Sequence, residues 1–109
     1  METCVFCRIV AGELPADVVY EDDAIMAFKD IHPETPVHLL LIPKKHIASL
    51  AHVQTEDAGL MAQLMLALPK LAVQQGMEQG FKTRINTGRA GGQEVAHLHV
   101  HLTGRPSLK

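Results

Sequence analysis

The chain has 109 residues, 47% of them hydrophobic, with seven histidines, two cysteines, no tryptophan and a formal net charge of -2. That length suits one domain over residues 1–109, with a core at about 4–104. The weak acidity excludes the broad basic surface of a general nucleic-acid binder, but not a single nucleotide, whose phosphate backbone amides can hold. No apolar run of about 18 residues is present, so no membrane span is expected. The start Met1-Glu2-Thr3-Cys4 lacks the basic and apolar stretches of a signal peptide, so a cytoplasmic location is expected. Reduced cysteines there would suit metal binding or packing better than a disulfide.

Cys4 to Ala11 reads as a short helix closed by Gly12, with Pro15 shortly after, as expected past a C-cap. Val18-Val19-Tyr20 and Ala24 to Phe28 read as the strands of a hairpin around the polar turn Glu21-Asp22-Asp23. Asp30 to Pro36 is a loop punctuated by prolines. Val37 to Ile42, apolar except for His38, predicts a buried central strand ended by Pro43. Thr55-Glu56-Asp57 starts a helix, with Thr55 as N-cap and acids in the first turn. Leu60, Met61, Leu64, Leu68 and Leu71 give it one apolar face. Pro69 predicts a kink or a division, because an interior proline costs about 3 kcal/mol. Gly76 or Gly80 closes the helix, and Phe81 to Asn86 is a further strand.

Thr87 to Gly92 is a Gly-rich turn, and Val95 to Thr103 alternates. Histidines fall at odd positions, with Leu98, Val100 and Leu102 at even ones. That is the period of a strand with two different faces. The tail from Gly104 to Lys109 is expected to be loose or to lean on a partner. Strands, then a helix, then strands predict an α+β fold with an antiparallel sheet.

On such a strand His97, His99 and His101 form a column, spaced about 6.5 to 7 Å apart. Three imidazoles need hydrogen-bond partners or a metal to stay buried, so satisfied core histidines are the weaker reading. One stronger reading is a metal site with an open position for water. The other is attack by a histidine on phosphorus. It draws on the upstream turn, whose glycines allow positive φ and whose amides can form an anion nest. The neutral imidazole is a competent nucleophile once its second nitrogen is oriented. The middle residue, His99, is the natural nucleophile, with His101 donating to a phosphate oxygen or leaving group. Amides near Gly92, with Gln93 and Asn86, would meet the developing charge. Cys4-x-x-Cys7 has metal-ligand spacing, although redox chemistry and plain packing remain open. His32, His52, Lys44 and Lys45 read as solvated surface.

The segment Gly92-Gln93-Glu94-Val95-Ala96-His97-Leu98-His99-Val100-His101-Leu102 closely resembles the signature of the histidine triad (HIT) superfamily. Upstream, Glu21-Asp22-Asp23, Ala27 to Ile31 and Pro36 to His46 resemble its Hint branch. The resemblance implies a five-stranded antiparallel sheet with one long and one short helix, paired across a homodimer. It implies a purine nucleoside monophosphate in a cleft and hydrolysis of adenosine 5'-phosphoramidates through a nucleotidyl-histidine on His99. Carried over by position, Phe6, Ile9, Phe28 and Ile31 line the base pocket and Asp30 binds ribose hydroxyls. Asn86, Gly92, Gln93, His99 and His101 surround the phosphate, with His38 orienting the rings. Glu94 stands where many members have serine; it would turn away from phosphate or accept from a bound amine. Ala96 replaces a larger residue, which is expected to loosen the strand. Some members hold a structural zinc, which here implies Cys4, Cys7, His46 and His97 as ligands and no catalytic metal. Other HIT reactions stay open as alternatives: dinucleoside polyphosphate hydrolysis, nucleotidyl transfer, or a nucleotide-binding module with incidental turnover.

Overall fold

The computed structural model describes residues 3–107. Helix α1, Val5–Val10, begins at Cys4, whose Sγ accepts from the Cys7 N–H at 3.3 Å. Strands β1 (Val18–Glu21) and β2 (Ile25–Lys29) form the expected hairpin. Asp22 closes it by accepting the N–H groups of Ala24 and Ile25 at 2.8 and 2.9 Å. Strand β3, Val37–Pro43, is buried at every position and runs one residue further than its apolar run, through Pro43. Helix α2 spans Ala58–Gln74, followed by β4 (Lys82–Arg84) and β5 (Val100–Gly104).

The five strands form one antiparallel sheet in the order β1-β2-β3-β5-β4. Leu39 and Leu41 of β3 point to one face, where they pack with Leu64, Leu68 and Leu71 of α2 and with Leu98, Val100 and Leu102. Leu40 and Ile42 point to the other, against Phe6 of α1 and Met26 and Phe28 of β2. The sheet is thus covered on one side by α2 and on part of the other by α1. The uncovered remainder of that second side holds the site. Registers across the strands line Phe28, Leu40, His101 and Arg84 into one row on it. Among the described residues no helix is long and apolar enough to cross a membrane.

Several expectations need correction. Pro69 does not divide α2, which is continuous through it. The carbonyl that loses its donor belongs to Met65, a 47% exposed residue where water can take the place of the missing N–H. Thr55 is not the cap: it lies inside a short 3-10 turn, Thr55–Asp57, that leads into α2. The capping contact comes instead from the Asp57 carboxylate, which accepts from the Gln54 N–H at 2.9 Å and from Lys45 Nζ at 2.6 Å. Lys45 beside it holds that carboxyl below its ordinary pKa, helped by the Gln54 N–H. Lys44 is likewise paired, with Glu21 at 2.6 Å, so neither lysine is merely solvated. The strand expected over 81–86 keeps only Lys82–Arg84. Gly76, at φ +81°, ends α2, and the tail folds back there: the Ser107 N–H donates to the Gly76 carbonyl at 2.6 Å. Leu108 and Lys109 lie outside the described residues.

The largest correction concerns the histidines. The strand expected from Val95 begins only at Val100, so of the three only His101 is on it. His97 sits in a bend, its N–H turned back to the Val95 carbonyl at 2.9 Å. Leu98 bonds to the Ile47 carbonyl at 2.7 Å, outside the sheet ladder. Ala96 is exposed in that bend, so its small side chain loosens no strand.

Candidate active site

The bend in the chain before β5 sends the histidines to different tasks. The His97 ring turns to α1, where its Nδ1 lies 3.3 Å from Cys4 Sγ and 3.5 Å from Cys7 Sγ. Its Nε2–H donates to the Pro43 carbonyl at 2.8 Å, which leaves Nδ1 with a lone pair facing the thiols. His46 brings its own Nδ1 to 3.2 Å from Cys7 Sγ. The donor atoms of Cys4, Cys7, His46 and His97 all lie within 4.8 Å of one another. A tetrahedral zinc with ordinary bond lengths sets neighbouring S and N atoms about 3.5 Å apart, close to the three sulfur–nitrogen distances given, so the donor set is compatible with the ion. Burial, opposed by the bond to Pro43, lowers the His97 pKa and keeps the ring neutral, as a ligand must be. Burial, together with the hydrogen bond and charge of Cys4, raises that of the Cys7 thiol. A cation between the two sulfurs would reverse that effect.

His99 is held differently. Its Nδ1–H donates to the His97 carbonyl at 2.7 Å, so the lone pair is on Nε2. The ring is 6% exposed and packs edge-on against Phe6 (5.2 Å between centroids) and His101 (5.0 Å).

His101 and His38 form a directed chain. The Glu34 N–H donates to His38 Nδ1 at 3.0 Å, so a neutral His38 carries its proton on Nε2. That Nε2–H faces His101 Nδ1 at 2.9 Å, with Asp30 Oδ2 at 3.4 Å. His101 Nδ1 therefore accepts, and Nε2–H is its free donor. Burial first, then the charges of Arg84, His99 and His38, push the His101 pKa down to about 4 against the pull of Asp30. His101 is thus a neutral donor at physiological pH.

The rings open on a cavity of about 540 Å³, within the usual range for a small-molecule site. Its apolar end is lined by Phe6, Ile9, Leu14, Pro15 and Phe28, with Ile31 at the rim, 85% exposed. Asp30, Asn86, Gly92, Glu94, His99 and His101 line its polar parts. Asp30 Oδ1 is already committed to the His32 N–H at 2.8 Å. Glu94 is among the residues that line the cavity.

Of the residues assigned to the ligand only Gln93 does not line the cavity, and His38, assigned to orient the rings, is also outside it. His38 lies behind His101, and Gln93 acts as a strut: its Nε2 donates to the Ala48 and Val95 carbonyls at 2.7 and 2.9 Å, and its Oε1 accepts from the Gly88 N–H at 2.8 Å. The turn it braces needs its glycines, with φ of +72° at Gly88 and +83° at Gly92. His32 and His52 are exposed, as expected, though His32 also lines the cavity and His52 Nδ1 meets Ser49 Oγ at 2.7 Å.

Arg84 and Glu34, which the sequence reading passed over, also line the cavity and form an ion pair at 2.8 Å. Arg84 stands two residues before Asn86, on the same face of the strand expected over 81–86, which is the signal that could have found it.

Residues 3–108 match the family described as scavenger mRNA decapping enzyme C-term binding. The protein HitA of Neisseria gonorrhoeae is 54% identical over 106 residues, 97% of this chain and 99% of that protein. This chain belongs to the histidine triad family. Among solved HIT structures, a HIT family hydrolase from Legionella pneumophila superposes with a TM-score of 0.92 at 45% identity, covering 98% of this chain and 96% of that one. A zinc-bound histidine triad family protein from Mycobacterium smegmatis superposes with a TM-score of 0.81 at 37% identity, covering 95% and 76%.

Proposed function

We propose that this HIT protein hydrolyses purine nucleoside 5'-phosphoramidates, in the manner of the Hint branch, through a nucleotidyl intermediate on His99. The carrying observation is the orientation of His99: Nδ1–H is tied to the His97 carbonyl, and Nε2 is left with a free lone pair at the wall of the cavity. The base would stack among Phe6, Ile9, Phe28 and Ile31, and the ribose would reach Asp30 Oδ2. His99 Nε2 attacks phosphorus as the P–N bond breaks, and the departing nitrogen takes up a proton. The imidazolium that forms is steadied by the His97 carbonyl on its other nitrogen. His101 Nε2–H donates to a phosphate oxygen or to the leaving nitrogen, and Asn86 meets the remaining charge; the N–H groups of Gly91, Gly92 and Gln93, expected to share this task, are spent on the Gly88 and Arg89 carbonyls within the turn. Water then attacks phosphorus and releases the nucleoside monophosphate and free His99. Gln93 serves this chemistry through the turn it braces. Glu94, at the cavity wall, suits a leaving group that carries a cationic amine.

A substrate panel tests the leaving group. Adenosine phosphoramidates should turn over with kcat/KM at least about 100-fold above dinucleoside polyphosphates, a discrimination of about 3 kcal/mol. Equal or inverted rates would move the assignment to polyphosphate hydrolysis. No turnover of either would favour a nucleotide-binding module.

Cys4, Cys7, His46 and His97 are proposed to hold a structural zinc that does not touch the reacting atoms. A coordinated ion there would stabilise the fold and supply no catalysis.

We also read the protein as a cytoplasmic homodimer. Leu66 and Val73 of α2 are 65% and 61% exposed, and Phe81 beside β4 is 43% exposed, more apolar surface than a domain this small leaves open to advantage. Sedimentation should give twice the chain mass at micromolar concentration; a monomer at that concentration would sink this reading.

A further inference from the structure

Arg84 closes β4 directly opposite His101, and a cross-strand pair places both side chains on one face about 5 Å apart. Each guanidinium nitrogen is already engaged. Nη1 donates to Glu34 Oε1 at 2.8 Å, and Nη2 lies 3.4 Å from both Glu34 Oε2 and His101 Nδ1. Nε donates to Asn86 Oδ1 at 2.9 Å. An arginine with these partners is not arranged to clamp a substrate anion, although it lines the cavity. Its targets are two groups that face the phosphate.

At His101, Arg84 and His38 both direct N–H donors at one ring nitrogen. Only an unprotonated Nδ1 can accept them. At Asn86, the bond to Oδ1 sets the amide, so Nδ2 points to the Gly91 carbonyl, which it reaches at 2.8 Å. The glycine turn, the amide and the histidine are thereby connected through one side chain, itself anchored by Glu34 from the loop before β3.

We propose that Arg84, braced by Glu34, is a positioning residue that fixes His101 as the neutral Nε2–H donor and locks Asn86 to the phosphate-binding turn. This rests on the phosphoramidase reading for its catalytic meaning, but not for its geometry. The groups facing His101 are Arg84 from β4, His38 from β3, Asp30 and Glu34 from the loop between β2 and β3, and His99 from its own segment. The Arg84 charge opposes protonation of His101, and Asp30 favours it, so removing the guanidinium should let the ring titrate nearer its ordinary range.

Nitrogen-15 NMR of the histidine rings decides the matter without any substrate. In the wild type, His101 should stay a neutral Nε2–H tautomer down to a pH near 4. In Arg84→Leu its midpoint should rise by about one pH unit or more, as expected for loss of a cation at this range. Arg84→Lys should keep the low midpoint yet release the Asn86 amide, seen as a shift of its side-chain NH2 resonances. With a phosphoramidate, kcat for Arg84→Leu should fall more steeply than that of the wild type as pH drops from 7 to 5, with KM changed less than kcat, while Arg84→Lys follows the wild-type profile. An unchanged His101 titration in Arg84→Leu overturns the proposal. Should that variant not fold, Arg84→Gln carries the same test. Failure of every nucleotide to turn over would count against the phosphoramidase reading alone, since the ring titration would stand.

Discussion

Replacing His99 with glycine should lower phosphoramidate turnover by at least about 10⁴-fold, the scale on which enzymes lose rate when a covalent nucleophile is removed. The reason is specific to one atom. His99 Nε2 is the lone pair that the hydrogen bond from Nδ1–H to the His97 carbonyl leaves free. His101 cannot replace it, because its Nδ1 is occupied by His38 and its Nε2 carries a proton. Glycine in place of the ring leaves a space between Phe6 and His101 that imidazole in solution can enter. Rescue of part of the rate by added imidazole would mark the loss as missing chemistry rather than missing fold. Near-normal turnover in His99→Gly would end the covalent mechanism.

Chelation gives a second discrimination. Among the described residues two groups could hold a metal, Cys4, Cys7, His46 and His97, and, beside the cavity, Asp30, His38 and His101; the three triad histidines together are not such a group. A metal-dependent hydrolase would stop when metal is withdrawn under conditions that leave the fold intact. The covalent mechanism continues.

The second large effect is on stability. The protein as isolated should contain about one zinc per chain, and Cys7→Ser should hold little or none. Cys7 Sγ has both His46 Nδ1 and His97 Nδ1 within reach, at 3.2 and 3.5 Å, so its loss removes the atom that links the two halves of the cluster. A loss of several kcal/mol is expected, or roughly 10 to 20 °C in midpoint for a domain of this size. Acid should imitate the substitution, because protons compete for the thiolates and imidazoles as pH falls. His101 adds to the same trend. Its folded pKa, about 4, lies below the ordinary histidine value of 6.5, so stability is retained above that value and is lost as pH falls toward 4, where only the unfolded chain takes up the proton. Wild-type protein without zinc, melting where Cys7→Ser melts, would refute the metal site.

Period and punctuation located both helices, the hairpin and the buried β3, because those elements are set by local pattern. The beginning of β5 was not legible. The alternation from Val95 to Thr103 looks the same whether or not a neighbour pairs with it, and Leu98 is claimed by Ile47, a residue 51 positions earlier. The same holds for the lysines: nothing local to Lys45 announces that Asp57 will fold back onto it. In the site, the resemblance named residues by position, and the cavity contains all those it assigned to the nucleotide but Gln93. Gln93 could not be separated from a ligand contact by sequence, since its partners at Ala48 and Gly88 depend on how two loops meet. Arg84 required the register between β4 and β5, which no single segment carries.

His97 gives its ring to the cysteines and its carbonyl to His99. The two duties come from different parts of the residue. Any side chain at position 97 keeps the carbonyl, so replacing the ring removes a candidate metal donor and leaves the bond that orients His99. An engineer can thus separate the two at one position, and what joins them is the backbone of the bend, where a displaced peptide unit would move both together.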